Sequence, residues 1–218
     1  MNFPLANPRA DARSAVVEAL ARLRRLFPLA ERLQSATPAV SSAYVTVLQE
    51  WTRARRPQAP LIDRAALDEL LRLDAVVQET DGLGCYPFSA RDTGIVVTLA
   101  GGAVNAMCAI DALAVARITG MAVQVNAACE TCGTPLSCRV EENGGLHHDQ
   151  ADRARVYWQS TCATKGSCSQ SLCRSIRFLC AACAAPGAGN VYTLPQATAI
   201  GNAFFGFQQV LLRDPPGR

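Results

Sequence analysis

The sequence predicts an α+β fold: an N-terminal helical, winged-helix-like unit followed by a mixed β-sheet core with flanking helices. Three observations carry this expectation. Helical periodicity fills the first third of the chain, short β-branched and aromatic runs begin near residue 94, and two more helical stretches accompany those runs. At 218 residues the chain holds one large domain or two small ones. Half of the residues are hydrophobic and 18% are charged, below the usual share of about 25%, so disorder is excluded and a buried core has ample material. The expected division is residues 1–82 for the helical unit and 83–218 for the remainder.

Residues 11–34 place Val16, Leu20, Leu23 and Phe27 at helical spacing, with a break near Pro28. A second helix covers about residues 41–52, with Tyr44, Val47, Leu48 and Trp51 on one face. RARRPQAP reads as a linker, and Asp63 is the N-cap of a third helix over residues 64–74. VVQE and GIVVTL are expected to pair as a hairpin across a long Gly-containing connection, which completes the winged-helix-like order. A helix is expected over residues 104–117 (VNAMCAIDALAVAR). Strands follow in MAVQVN, LSCRV, RVYWQS and SIRFL, and LPQATAIGNAFFGFQQVLLR forms a last helix with Pro195 near its start.

Charge and targeting signals narrow the function classes. Twenty Arg and one Lys against 18 acidic residues leave a net charge of +3, too mild to indicate a nucleic-acid partner. Asp68, Glu69 and Asp74 on the third helix argue further against DNA, because they repel phosphate. No run reaches the ~18 apolar residues of a membrane span. The N-terminus lacks the basic and apolar regions of a secretory signal, so a cytoplasmic location with reduced thiols is expected. The two histidines, His147 and His148, are adjacent. They exclude a histidine-rich metal site and confine any Ser-His or Cys-His pair to that loop.

Ten cysteines in such a chain point to soft-metal chemistry, redox chemistry or burial. Cys108 and Asp111 stand three apart in an otherwise apolar helix, which places them on one face. A carboxylate beside a thiol can accept its proton and pass it on. The same spacing also suits a small buried Cys with an Asp on the polar side. Cys173 lies just before the SIRFL strand, where Arg174 or Arg177 can act on it. Two Cys-x-x-Cys pairs, Cys129/Cys132 followed by Gly133 and Cys180/Cys183, allow a four-thiolate zinc site. The first resembles a zinc knuckle; the second lies in an Ala-rich stretch without a turn glycine, so the four are not expected all to converge. Cys138, Cys162 and Cys168 fall in no pattern, and Cys85 sits in a packing segment.

The stretch from Tyr86-Pro87-Phe88-Ser89 through VTLAGGAVNAMCAIDAL to the Cys129–Gly133-x-Pro135 turn and SLCRSIRFL resembles the organomercurial (alkylmercury) lyase family. The likeness covers roughly residues 83–212. It implies that Cys108, Asp111 and Cys173 are catalytic and hold mercury as substrate or product, and that Cys129 is structural. It implies protonolysis of an organomercurial to a hydrocarbon and Hg(II), with no required cofactor, Hg(II) held by two thiolates, and cellular thiols or a mercuric reductase as its acceptor. Structural zinc at the Cys-x-x-Cys pairs would be an addition to that pattern. The chain departs from familiar members at Arg174, where they often carry a second Cys, and at Asn105 and Met107, near which they often carry an aromatic residue. Two other readings fit the residues: a non-catalytic thiol-rich binder of zinc or mercury, or a lyase-fold relative acting on another carbon–heteroatom bond. Asp111 separates the first of these from the enzyme, since a binding site needs no proton carrier.

Overall fold

The structure, a computed structural model, describes residues 8–147, 152–159, 166–184 and 190–215. Cys162 and His148 lie outside them. Helix α1 (Pro8–Leu26) stops before Pro28, which has no amide to continue the ladder, and α2 (Leu29–Gln34) restarts beyond it. Thr37 caps α3 (Pro38–Thr52), with Pro38 at its first turn. Asp63 caps α4 (Arg64–Arg72), its carboxylate accepting from the amides of Ala65 and Ala66. The α3 face that carries Tyr44, Val47, Leu48 and Trp51 is buried as its periodicity indicates.

The expected hairpin is replaced by two others. β1 (Val76–Glu79) pairs with β2 (Gly82–Cys85) through a two-residue turn, and β4 (Val96–Leu99) pairs with β5 (Gly102–Ala106). Glycine permits the first turn: Gly82 has φ +142°, and a Cβ there would stand 2.6 Å from the Pro57 carbonyl oxygen. The two hairpins belong to one seven-stranded sheet of order β1-β2-β3-β5-β4-β6-β7, where β3 is Phe88–Ser89, β6 Val123–Ala128 and β7 Pro135–Val140. A three-stranded sheet, β10-β8-β9, comprises β8 (Ala154–Trp158), β9 (Ile176–Cys180) and β10 (Asn190–Thr193). The α+β class stands. Every pairing among the described strands is antiparallel, so the sheets are not mixed. The expected boundary at residues 82/83 falls inside β2.

Residues 104–106, expected to open a helix, are instead the end of β5. The helix α5 (Ala109–Thr119) begins after them and ends on Gly120 in the left-handed conformation. Val104 and Ala106 supply the alternate buried positions of a strand and Ile110, Leu113 and Ala114 the buried face of a helix, so the apolar run is continuous across the junction. Helix α6 (Leu194–Arg213) starts with a capping box between Thr193 and Gln196 and packs along α5 and α1. α5 is apolar on nearly every side because it lies between the large sheet, β9 and α6. No described helix is long and apolar enough to cross a membrane.

Candidate active site

Cys108 is the N-cap residue of α5, with an extended backbone (φ −154°), and Asp111 lies in the first turn. The expectation of two residues inside one helix is therefore corrected: the strand-to-helix junction, rather than a helical face, brings them together. At this spacing a residue in the third helical position reaches back to the N-cap amide. The Asp111 carboxylate meets both the amide and the thiol of Cys108. Cys173 arrives from the other side, in a 3-10 turn (Cys173–Ser175) directly before β9. Its Sγ stands 3.7 Å from Asp111 Oδ2. The Cys108 and Cys173 sulfurs and an Asp111 oxygen all lie within 4.8 Å of one another.

All three residues are buried, at 1%, 5% and 3% exposure for Cys108, Asp111 and Cys173. An unpaired carboxylate there is costly in its charged form. Burial pushes Asp111 up to about 7, although hydrogen bonds from Cys108 and Cys173 pull the other way. Burial also pushes the Cys108 thiol well above its usual range, despite the amide of Asp111 facing the sulfur. For Cys173, the hydrogen bond with Cys108 lowers the thiol, but Cys168 and burial raise it to a net upward shift. Burial thus favours the neutral form of both thiols and of the carboxyl group.

A third thiol completes the group. Cys168 Sγ is 3.8 Å from Cys173 Sγ and is buried. Sequence reasoning missed it because its five-residue separation from Cys173 spans a loop and matches no ligand motif. The loop is held from afar. Asp74 accepts from Tyr86 Oη at 2.9 Å and from the Cys168 amide at 2.8 Å, and Tyr86 Oη accepts from the Ser169 amide at 2.8 Å.

The wall around the thiols is apolar. Leu23, Phe27, Tyr86, Ile110, Phe204 and Phe205 line a cavity of about 10 Å³, at the lower bound of roughly 10–15 Å³ that holds a single water. Phe27 packs on Tyr86 at 4.6 Å and on Phe204 at 6.1 Å between ring centroids. Arg174 and Arg177, the cations expected beside Cys173, are not among the groups that set its ionisation.

The four Cys-x-x-Cys thiols form a separate group, and here the expectation is overturned. The sulfurs of Cys129, Cys132, Cys180 and Cys183 lie within 4.8 Å of one another. They converge because the loop between β6 and β7 meets the end of β9, where the Glu130 amide donates to the Phe178 carbonyl, a proximity that linear spacing does not encode.

The fold and the first site define a class: a buried, apolar-walled pair of thiols with a carboxylate between them, suited to a soft metal and a proton. The family model for alkylmercury lyase (MerB) matches residues 88–206. Among solved structures, the fold is similar to the crystal structure of the mercury-bound form of MerB2, at 20% identity and a TM-score of 0.65. That alignment spans 84% of this chain and 98% of the other. A search of curated proteins finds no match by sequence. The chain belongs to the alkylmercury lyase family, enzymes that cleave the carbon–mercury bond of organomercurials.

Proposed function

We propose that Cys108, Cys173 and Asp111 carry out the cleavage. The supporting observation is the placement of Asp111 Oδ2 3.7 Å from Cys173 Sγ, with the Cys108 thiol on the same carboxylate. Cys108 binds R–Hg⁺ as a thiolate and releases its proton to the group that leaves mercury. Cys173 then gives its proton to the Asp111 carboxylate and adds to mercury as a second thiolate. Two thiolates push electron density onto the metal and make the attached carbon more basic. Asp111 returns the proton to that carbon as the carbon–mercury bond breaks. The products are R–H and Hg(II) on Cys108 and Cys173, and Asp111 is again a carboxylate. A group with a pKa near 7 suits both halves of this transfer.

The reaction requires no cofactor in this reading, and Hg(II) is substrate-derived cargo. Cellular thiols or a mercuric reductase would take it up in the cytoplasm. The buried Cys168 offers a third sulfur to the departing ion. The aromatic wall of Phe27, Phe204 and Phe205 suits an alkyl or aryl group.

The test is Asp111→Asn, which keeps size but cannot shuttle a proton. The variant should still bind phenylmercury, read as a mass shift, yet release benzene at least roughly 100-fold more slowly, the low end for a positioned acid–base group. Cys108→Ser and Cys173→Ser should each abolish turnover, and Cys138→Ser should not. Turnover by Asp111→Asn at the wild-type rate would remove Asp111 from the chemistry.

A further inference from the structure

We propose that Cys129, Cys132, Cys180 and Cys183 bind one zinc ion as a tetrathiolate that clips the large sheet to the small one. This rests on the second thiol cluster alone and does not depend on the reading of the reaction site. A tetrahedral ion with metal–sulfur bonds of about 2.3 Å sets its sulfurs about 3.8 Å apart. Cys132 Sγ and Cys180 Sγ, from different pairs, are 3.7 Å apart, and all four sulfurs fall within 4.8 Å.

The two pairs are built alike. In the first, the Gly133 amide donates to the Cys129 carbonyl at 2.8 Å; in the second, the Ala184 amide donates to the Cys180 carbonyl at 3.1 Å. Each pair is thus a knuckle in which the backbone turns around its own thiols. Gly133 does so with φ +72°, whereas Ala184 does so without a positive φ, which is why the missing glycine does not prevent the second knuckle. The knuckles are fastened to each other as well. The Glu130 amide donates to the Phe178 carbonyl at 3.0 Å, and the amides of Cys180, Cys132 and Thr131 face Cys129 Sγ. Amides aimed at sulfur favour thiolate, the form a metal needs. The Thr134 hydroxyl adds a contact to Cys132 Sγ at 3.1 Å.

Four thiolates in a closed tetrahedron, without histidine or carboxylate, are the donor set of a structural zinc site. Cys129 is buried, Cys132 is exposed, and Cys180 and Cys183 are half-buried, so the ion would enter from the surface. The clip joins the loop between β6 and β7 to the end of β9. Cys173 stands just before the opposite end of that strand. β9 is the edge of its sheet, and the first knuckle covers that edge.

Protein prepared from cells grown without mercury, in buffers without chelator, should carry one zinc per chain by plasma mass spectrometry. Cys108→Ser and Cys173→Ser should keep it, and the double variant Cys132→Ser/Cys180→Ser, with one thiol lost from each knuckle, should lose it. The unmutated protein supplies a second measurement in case the double variant does not fold. X-ray absorption at the zinc edge should show four sulfurs at about 2.3 Å. The proposal is overturned by iron in place of zinc, by oxygen or nitrogen in the first shell, or by a disulfide linking the knuckles in the isolated protein. A protein that takes up no added zinc, or one whose zinc disappears with Cys108→Ser, overturns it equally.

Discussion

Asp111 is the residue on which the site's pH behaviour turns. Burial lifts its pKa to about 7, against about 3.9 for an unperturbed Asp. The folded chain therefore favours the protonated acid. That contribution to stability is fully present below about pH 4 and is lost as pH rises through about 7, above which a charge is held in an apolar site. Asp111→Asn has no such titration. Urea unfolding of both proteins across pH 4 to 8 should show the wild type losing a few kcal/mol relative to the variant as pH rises. Parallel curves would mean that Asp111 keeps an ordinary pKa in the folded chain. Asp74 shows a second kind of residue effect. Read along the chain, it is one more acid on a helix that repels phosphate; in the fold it ties Tyr86 to the loop that carries Cys168 and Cys173.

At the scale of elements, the close approach of α5 and α6 bears on the geometry of the proposed site. Gly201 on α6 faces α5, and a Cβ added there would stand 2.8 Å from the Ile110 carbonyl oxygen and 3.1 Å from Ala114 Cβ. The Ile110 carbonyl adjoins Asp111, so the contact bears on the helix start that presents the acid. Gly201→Ala should gain helix propensity worth up to about 1 kcal/mol but lose more, a net destabilisation of about 1–3 kcal/mol from overpacking. Its kcat for phenylmercury cleavage should fall while zinc content stays unchanged. Thermal unfolding and steady-state kinetics check this, and a variant more stable than wild type with unchanged kcat would show that the helices have room to spare. The same junction explains a misread element. Val104 and Ala106 look helical in sequence because they continue the apolar run of α5, but β4 and β3 are waiting to pair with them.

Across the whole molecule, the N-terminal helices close the site that the family-matched region builds. Leu23 and Phe27 come from the first helix and its end, outside residues 88–206, yet line the cavity over Cys108 and Cys173. A cavity of about 10 Å³ is too small for an arylmercury group, so on the proposed reading part of its wall opens before substrate reaches sulfur, and Phe27 tests whether that part is the N-terminal cover. Phe27→Ala should label faster at Cys108 and Cys173 with phenylmercury under single-turnover conditions, read by mass spectrometry. Its stability should drop by about 3–5 kcal/mol, as for removal of a buried ring. An unchanged labelling rate in a folded variant would assign entry to another face.

The amino-acid sequence by itself determined the class of fold and the order of helices and most strands, and through its family resemblance it pointed to the candidate trio Cys108, Asp111 and Cys173. The cap at Asp63, Pro195 near the start of α6, helical periodicity in α3 and β-branched runs are local signals, and local signals survive in a linear reading. Cys108, Asp111 and Cys173 were legible because their neighbours resemble a family pattern; the spacing of Cys108 and Asp111 alone also fits a buried Cys beside a surface Asp, and Cys108 caps the helix rather than lying in it. Tertiary structure alone decided which strands pair, that Cys168 joins the thiols, and that Cys129, Cys132, Cys180 and Cys183 meet. These depend on contacts between segments far apart in the chain. Such contacts follow from which surfaces bury one another, and neither spacing nor composition records that.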